Sequence, residues 1–290
     1  MKESTLLIDF LLSVSRNFLS WWLAAAMGVV QGVTEFLPIS SSAHLRILPA
    51  LFGQKDPGAS FTAVIQIGTI FSVLIFFKND LISISRSTLV GIFKKDERNQ
   101  EFRMGLSIIL ATIPIIFFGL IGKDFIKTGA RSLYLVAYVM LIFSFVMYFV
   151  DKYSKFDTDI NDLSRFKILM LGFAQSLALI PGFSRSGVTI TAARYFGINR
   201  AAAARFSFLL SVPAIVLSGL YEAIGITNSN ESGWGQTIFA AAVSFVVGYI
   251  SIAWLIKWLG NHSLKTFVIY RIALSLAIIA LLNGGFISNL

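Results

Sequence analysis

The chain contains no cysteine, which excludes disulfides, thiol nucleophiles and cysteine-ligated metals. It has two histidines, His44 and His262, so a histidine-rich metal centre is excluded as well. Charge is also scarce: 13% of the 290 residues are charged, against 56% hydrophobic. Both values lie far from those of soluble domains and point to a membrane protein. The charge that is present has one dominant sign, +9 net. In a soluble chain that excess would suggest a nucleic-acid partner. Here the basic residues fall mainly between apolar runs, so membrane lipids account for them and no nucleic-acid partner is expected. A cleaved leader is not expected either, because Lys2 is offset by Glu3 and Asp9 interrupts the first apolar run. Residues 1–20 read as an interfacial N-terminal helix, with Trp21 and Trp22 near the headgroups.

A helix that crosses a bilayer takes roughly 17–25 mainly apolar residues. Six segments fit or nearly fit: 61–77, 104–122, 132–150, 206–221, 237–256 and 272–290. Two other apolar stretches are broken. Residues 17–34 run into Glu35, Pro38 and Ser40-Ser41-Ser42, and residues 168–180 run into Pro181-Gly182 and Ser184-Arg185-Ser186. A Pro-Ser break inside an apolar stretch predicts a re-entrant helix hairpin that enters and leaves on one side of the bilayer. A surface loop between two helices is the plainer alternative.

Shifting the chain by 144 residues superposes Gly28 on Gly172, Gln31 on Gln175, Ser40 on Ser184 and Ser42 on Ser186. That self-similarity predicts a duplicated unit. The expected fold is an all-α polytopic membrane protein, with residues 1–290 forming a single integral membrane domain. Repeat one spans about 21–150 and repeat two about 165–290, each a re-entrant hairpin followed by three transmembrane helices. Three crossings reverse the second unit, so an inverted repeat is expected, its two hairpins dipping towards each other. Loop 78–103, with Lys78, Arg86, Lys94, Lys95, Arg98 and Arg103, should be cytoplasmic, and 151–167 shares its side. Loop 226–236 has no Lys or Arg and should lie outside; 123–131 falls outside too despite Lys123, Lys127 and Arg131.

The two breaks hold the residues with chemistry. In the first, Gln31 and Glu35 are one helical turn apart, and after Pro38 the pairs Ser41/His44 and Ser40/His44 have helical spacing. A carboxylate and an imidazole at membrane depth are costly and usually mark a functional site. Capping serines and an interfacial histidine would be the bland reading. The second break reads Pro181-Gly-Phe-Ser-Arg-Ser-Gly-Val-Thr189. Ser184, Ser186, Gly187 and Thr189 suit an anion at the start of a half-helix, where free N–H groups and the dipole point. Arg185 adds a planar fork matched to phosphate oxygens. A surface loop whose arginine meets a lipid headgroup is the alternative. Together the breaks predict phosphoryl transfer, with a hydroxyl attacking phosphorus, a base taking its proton and cations holding the oxygens.

The run from Gly28 to His44, including Glu35-Phe-Leu-Pro-Ile-Ser-Ser-Ser-Ala-His44, resembles the first signature of the bacterial undecaprenyl-diphosphatases, also called bacitracin-resistance proteins. Pro181–Thr189 resembles the second, and Ala204–Pro213 is also similar. The likeness covers nearly the whole chain. It implies hydrolysis of undecaprenyl diphosphate, a polyprenyl diphosphate lipid, to the monophosphate carrier of peptidoglycan synthesis, in the bacterial inner membrane. It further implies a divalent-cation dependence (Mg or Ca), a site reached from the outer face, and a homodimer. The family's functional positions fall on Gln31, Glu35, Ser41, His44, Ser184, Arg185, Ser186 and Thr189. Gln31 can be Glu in relatives; as an amide it is no charged metal ligand, so a two-carboxylate site is in doubt and Glu35 is the metal candidate. The expected roles are Ser41 as nucleophile, His44 in proton transfer, Glu35 orienting His44 or binding metal, and Arg185 gripping the pyrophosphate. His44 or a metal-bound water as nucleophile stays open.

Two rivals come from other classes. A phosphatidic-acid-phosphatase type needs a second catalytic histidine six residues after an arginine, and Thr191 stands there after Arg185. An inverted-repeat transporter or lipid flippase would share the broken helices but release no phosphate.

Overall fold

The computed structural model describes residues 19–54, 57–122, 132–224 and 233–289. The expected interfacial helix therefore lies almost wholly outside the described residues, as do loop 123–131 and most of loop 226–236. Among the described residues the structure is helical with no strand, as an aqueous-edge-free fold in lipid requires. The helices are α1 Trp21–Thr34, α2 Ser41–Leu51, α3 Gly58–Phe76, α4 Lys78–Phe93, α5 Gln100–Ile121, α6 Leu133–Tyr153, α7 Arg165–Ser176, α8 Arg185–Tyr195, α9 Arg200–Ile224, α10 Trp234–Asn261 and α11 Lys265–Asn283. Five of them, α5, α6, α9, α10 and α11, are long and apolar enough to cross a membrane; α3, bent 75° from α4, makes a sixth if that pair is one broken span. The chain is a multi-pass membrane protein.

Two elements depart from the sequence expectation. The basic segment 78–103 carries a full helix, α4. Its Leu81, Ile84, Thr88 and Gly91 recur at helical spacing and turn inward, while Leu89 and Phe93 stay exposed. Scattered charge masked that periodicity. The last span also starts seven residues earlier than expected, at Lys265, and stops at Asn283 before the Gly284-Gly285 turn. Tyr270 and Arg271 consequently lie inside it.

Lipid supplies no hydrophobic drive between helices, so close backbone approach through small residues must do that work. Gly28 of α1 lies so near α10 that a Cβ would sit 2.5 Å from the Ala240 carbonyl oxygen. Gly172 of α7 meets α5 in the same way, 2.5 Å from that of Ala111. The first helix of each hairpin thus leans on a long helix of the other half, and α6 packs against α11 between them. This crosswise packing brings the two breaks together in the interior.

Candidate active site

Hairpin one turns between Glu35, the C-cap of α1, and Ser40, which precedes α2 with φ 77°. Hairpin two leaves α7 through a 3₁₀ turn, Leu177–Leu179, and reaches Ser184, which precedes α8 with φ 69°. These serines are the two positive-φ residues other than glycine among the described residues. The half-helices that follow, α2 and α8, are each 11 residues long and lie 144 residues apart. Each serine holds a backbone conformation that costs on the order of 1–3 kcal/mol, tolerated where surrounding structure over-determines it.

Glu35 is the centre of the site. Its Oε2 accepts hydrogen bonds from Ser41 Oγ at 2.8 Å and Gln31 Nε2 at 3.2 Å. Its Oε1 accepts one from Arg185 Nη2, the charge pair that joins the two hairpins. Both side chains are nearly buried, 14% exposed for Arg185 and 9% for Glu35. Removing one partner of such a pair costs about 3–5 kcal/mol. A second link between tips runs from Ser186 Oγ to the Leu37 carbonyl, 3.2 Å. Ser184 Oγ lies 3.1 Å from Ser186 Oγ and accepts the Gly187 N–H at 3.2 Å, capping α8. Ser40 Oγ and Ser42 Oγ form the matching pair in hairpin one, 3.1 Å apart. Thr189 lies deeper: its hydroxyl bonds back to the Arg185 carbonyl at 2.8 Å and pairs with Ser207 of α9.

Neither the expected Ser41–His44 pair nor an orientation of His44 by Glu35 is what the structure makes. Ser41 is the first residue of α2, so its side chain projects beyond the helix end, where Glu35 stands. His44 Nδ1 instead reaches back to the Ser40 carbonyl at 2.8 Å, and its Nε2 lies 2.6 Å from the Tyr270 hydroxyl. Ser41 is thus held by the carboxylate and His44 by the backbone of the turn.

Sequence reasoning missed Arg271. Its side chain is wholly buried on α11. Nη1 donates to the carbonyls of Pro38 at 3.4 Å and Phe183 at 3.3 Å; Nη2 donates to those of Gly182 at 2.9 Å and Met140 at 3.3 Å; Nε donates to Ser144 Oγ at 3.1 Å. One guanidinium thereby holds both hairpin tips. Among the described residues no carboxylate pairs with it, so its charge is met only by carbonyl dipoles and the Phe143 ring, 5.5 Å from its carbon. The signal was present: a lone arginine inside the apolar run around Val268–Leu274 is a functional hypothesis by default. A second buried knot lies apart from the site, where Asp151 takes Arg194 Nε at 3.1 Å, Arg200 Nε at 2.7 Å and the Leu264 N–H at 2.9 Å. It ties the ends of α6, α8, α9 and α11.

Among the described residues no three His, Cys, Asp or Glu groups gather as a metal centre. The donors present do fit a cation shared with a phosphate ligand. Gln31 Oε1 is a buried acceptor without a hydrogen-bond partner, next to the Glu35 carboxylate. Hard cations such as Mg²⁺ are held by one or two such oxygens together with phosphate oxygens and water.

Two broken helices that bring a carboxylate-held hydroxyl and two arginines to one interior point define an integral membrane protein with a buried polar centre. The chain belongs to the bacitracin resistance protein BacA family, whose model matches residues 24–277. It is 44% identical to a Corynebacterium efficiens protein over 99% of this chain and 100% of that one. It is 46% identical to a Nocardioides sp. protein, over 91% and 97% of the two chains. It is 44% identical to a Mycolicibacterium smegmatis protein, over 92% and 98%. All three relatives are named undecaprenyl-diphosphatase.

Proposed function

We propose that the protein hydrolyses undecaprenyl diphosphate to undecaprenyl phosphate and inorganic phosphate, in the bacterial cell membrane, at the meeting point of the two hairpins. The product is the lipid carrier of peptidoglycan synthesis, and its regeneration accounts for bacitracin resistance. One observation carries the reading: Ser41 Oγ is hydrogen-bonded to one oxygen of Glu35 while Arg185 holds the other. That contact set supports reading Ser41 as nucleophile, Glu35 as base and Arg185 as phosphate clamp.

The reaction follows from that arrangement. The terminal phosphate takes Arg185 from Glu35, replacing a single hydrogen-bonded carboxylate oxygen with phosphate oxygens that the planar fork can grip two at a time. Glu35 keeps its bond to the Ser41 hydroxyl through Oε2 and is placed to take that proton. Ser41 Oγ forms a bond to the terminal phosphorus, its proton passes to Glu35, and the bond to the bridging oxygen breaks. Polyprenyl phosphate leaves with that electron pair. Water then attacks the phosphoserine, and Glu35 returns its proton to Ser41 as phosphate is released. Arg271 and the N-terminal amides of α8 add positive potential. Glu35 and Gln31 Oε1 would hold a divalent cation, which when bound neutralises pyrophosphate oxygens.

The test is phosphate release by purified protein in detergent from a polyprenyl diphosphate, with Glu35→Gln beside it. Turnover in the wild type and its collapse in the variant is the expected result. Absence of phosphate release from active-fold protein would overturn the reading in favour of a transporter.

A further inference from the structure

We propose that Tyr270 is a positioning residue for the reaction, acting through His44 to hold the turn that presents Ser41; this rests on Ser41 being the nucleophile. The Tyr270 hydroxyl lies 2.6 Å from His44 Nε2, and the two rings are parallel, 4° between planes with centroids 5.6 Å apart. The opposite nitrogen, Nδ1, is 2.8 Å from the Ser40 carbonyl oxygen. A carbonyl only accepts, so Nδ1 carries the hydrogen. In the neutral ring Nε2 is then an acceptor, and Tyr270 is the donor that selects this tautomer.

Three residues thus form one chain of hydrogen bonds: Tyr270 to His44, His44 to the Ser40 carbonyl. Its end point is the strained residue, φ 77°, directly before Ser41. The neighbour of Tyr270 does the complementary task, since Arg271 Nη1 donates to the Pro38 carbonyl. Two consecutive residues of α11 therefore hold the two carbonyls that flank Ile39, one directly and one through an imidazole. A backbone in a sparsely populated conformation persists only where its surroundings enforce it. If His44 took its other tautomer, Nδ1 would lose its hydrogen, the Ser40 carbonyl would lose its donor, and the direction of Ser41 towards Glu35 would relax. Tyr270 is 43% exposed, so its ring is not a core side chain whose loss must unfold the protein.

The experiment uses full-length protein in detergent and a polyprenyl diphosphate. Tyr270→Phe keeps the ring stack and removes the hydroxyl. One neutral hydrogen bond translates to a fall of about two- to tenfold in kcat, with KM and melting temperature unchanged. Selective ¹⁵N-histidine labelling gives a readout independent of turnover, because the chain has two histidines and His262→Gln assigns them. Wild-type His44 should show a protonated Nδ1 and a hydrogen-bonded, unprotonated Nε2; in Tyr270→Phe the Nε2 resonance should move. Wild-type kcat with unmoved resonances would overturn the proposal. So would loss of activity in Tyr270→Ala with full activity in Tyr270→Phe, which would leave ring packing alone. Ser41→Ala and His44→Ala separate the two levels. Full activity in Ser41→Ala takes down the site reading itself, whereas an inactive Ser41→Ala beside full activity in His44→Ala, or beside a silent Tyr270→Phe, takes down only the positioning chain.

Discussion

Arg271→Lys should be damaging although it keeps the charge. The guanidinium satisfies five acceptors, four of them carbonyl oxygens. An ammonium has three donors, so at least two of these hydrogen bonds are lost. A hydrogen bond to a charged group is worth about 1.5–3 kcal/mol, so two come to about 3–6 kcal/mol. At roughly 2–4 °C per kcal/mol for chains of this size, melting in detergent should fall by at least about 6 °C. The lost bonds include those that join hairpin one to hairpin two, so the geometry between Ser41 and Arg185 should loosen. A misplacement of about 1 Å can cost a hundredfold in rate, and a fall of at least about tenfold in phosphate release is expected. Tryptophan fluorescence follows the melting and free phosphate follows the reaction; Arg86→Lys, on the exposed face of α4, serves as the control and should change neither. If Arg271→Lys keeps both wild-type melting and wild-type turnover, the tips are not held by this residue. A lowered melting temperature with full turnover would leave it a structural part only.

Ser41→Ala should abolish turnover while Ser42→Ala, whose hydroxyl meets only Ser40 among the described residues, should lower it less; the reverse order in a phosphate-release assay would reassign the nucleophile. Arg185→Lys should insert and fold normally yet lose at least about tenfold in turnover, since a point charge cannot grip two phosphate oxygens; wild-type turnover there would leave only an electrostatic role. Gly172→Leu should fail to give monodisperse protein by fluorescence-detected size exclusion, because its Cβ would fall 2.5 Å from the Ala111 carbonyl oxygen, and normal behaviour would refute the close approach of α7 and α5. Cysteine labelling has no native background in this chain: Lys94→Cys should react only with reagent that reaches the cytoplasm and Asn228→Cys with impermeant external reagent, and matching sidedness would remove the inverted arrangement.

What could be read from the sequence was set by period and by punctuation. Long apolar runs and the two Pro-Ser breaks announce membrane helices and hairpins, because lipid allows no other backbone solution. The 144-residue match pairs Ser40 with Ser184, and both carry a positive φ. The i, i+3 rule failed at Ser41 for a definite reason. It presumes that both residues lie within a helix, and Ser41 is where the helix starts. Helix α4 was hidden because its charged face interrupts the apolar count, although its inward face keeps the period. Tyr270 and Arg271 were lost to a boundary: starting the last span at 272 places a buried arginine in a loop, where it raises no question. The five contacts that Arg271 makes with distant segments, such as that to Gly182, leave no trace in local spacing at all.

The two strained serines bear on why the chain carries this motif twice. A residue with φ near 70° would be served better by glycine, which adopts it at little cost. Hairpin two even has glycine two positions earlier, at Gly182 with φ 101°. Yet at Ser40 and Ser184 a side chain is kept, and in each case its hydroxyl lies 3.1 Å from that of the serine two residues on. The strain is thus borne twice, in the same place, for the same local hydroxyl pair. Folding alone does not call for that, because a glycine would relax the turn and leave the half-helix start intact. Under the proposed function, a shared ligand calls for it. Two half-helices that begin at one interior point offer two sets of free amides and two hydroxyl pairs, and a diphosphate has two phosphoryl groups to place. In hairpin one the set is joined by a carboxylate that holds Ser41, and in hairpin two by an arginine. Under the proposed function, Glu35 marks the reactive side of that meeting point and Arg185 the retentive one.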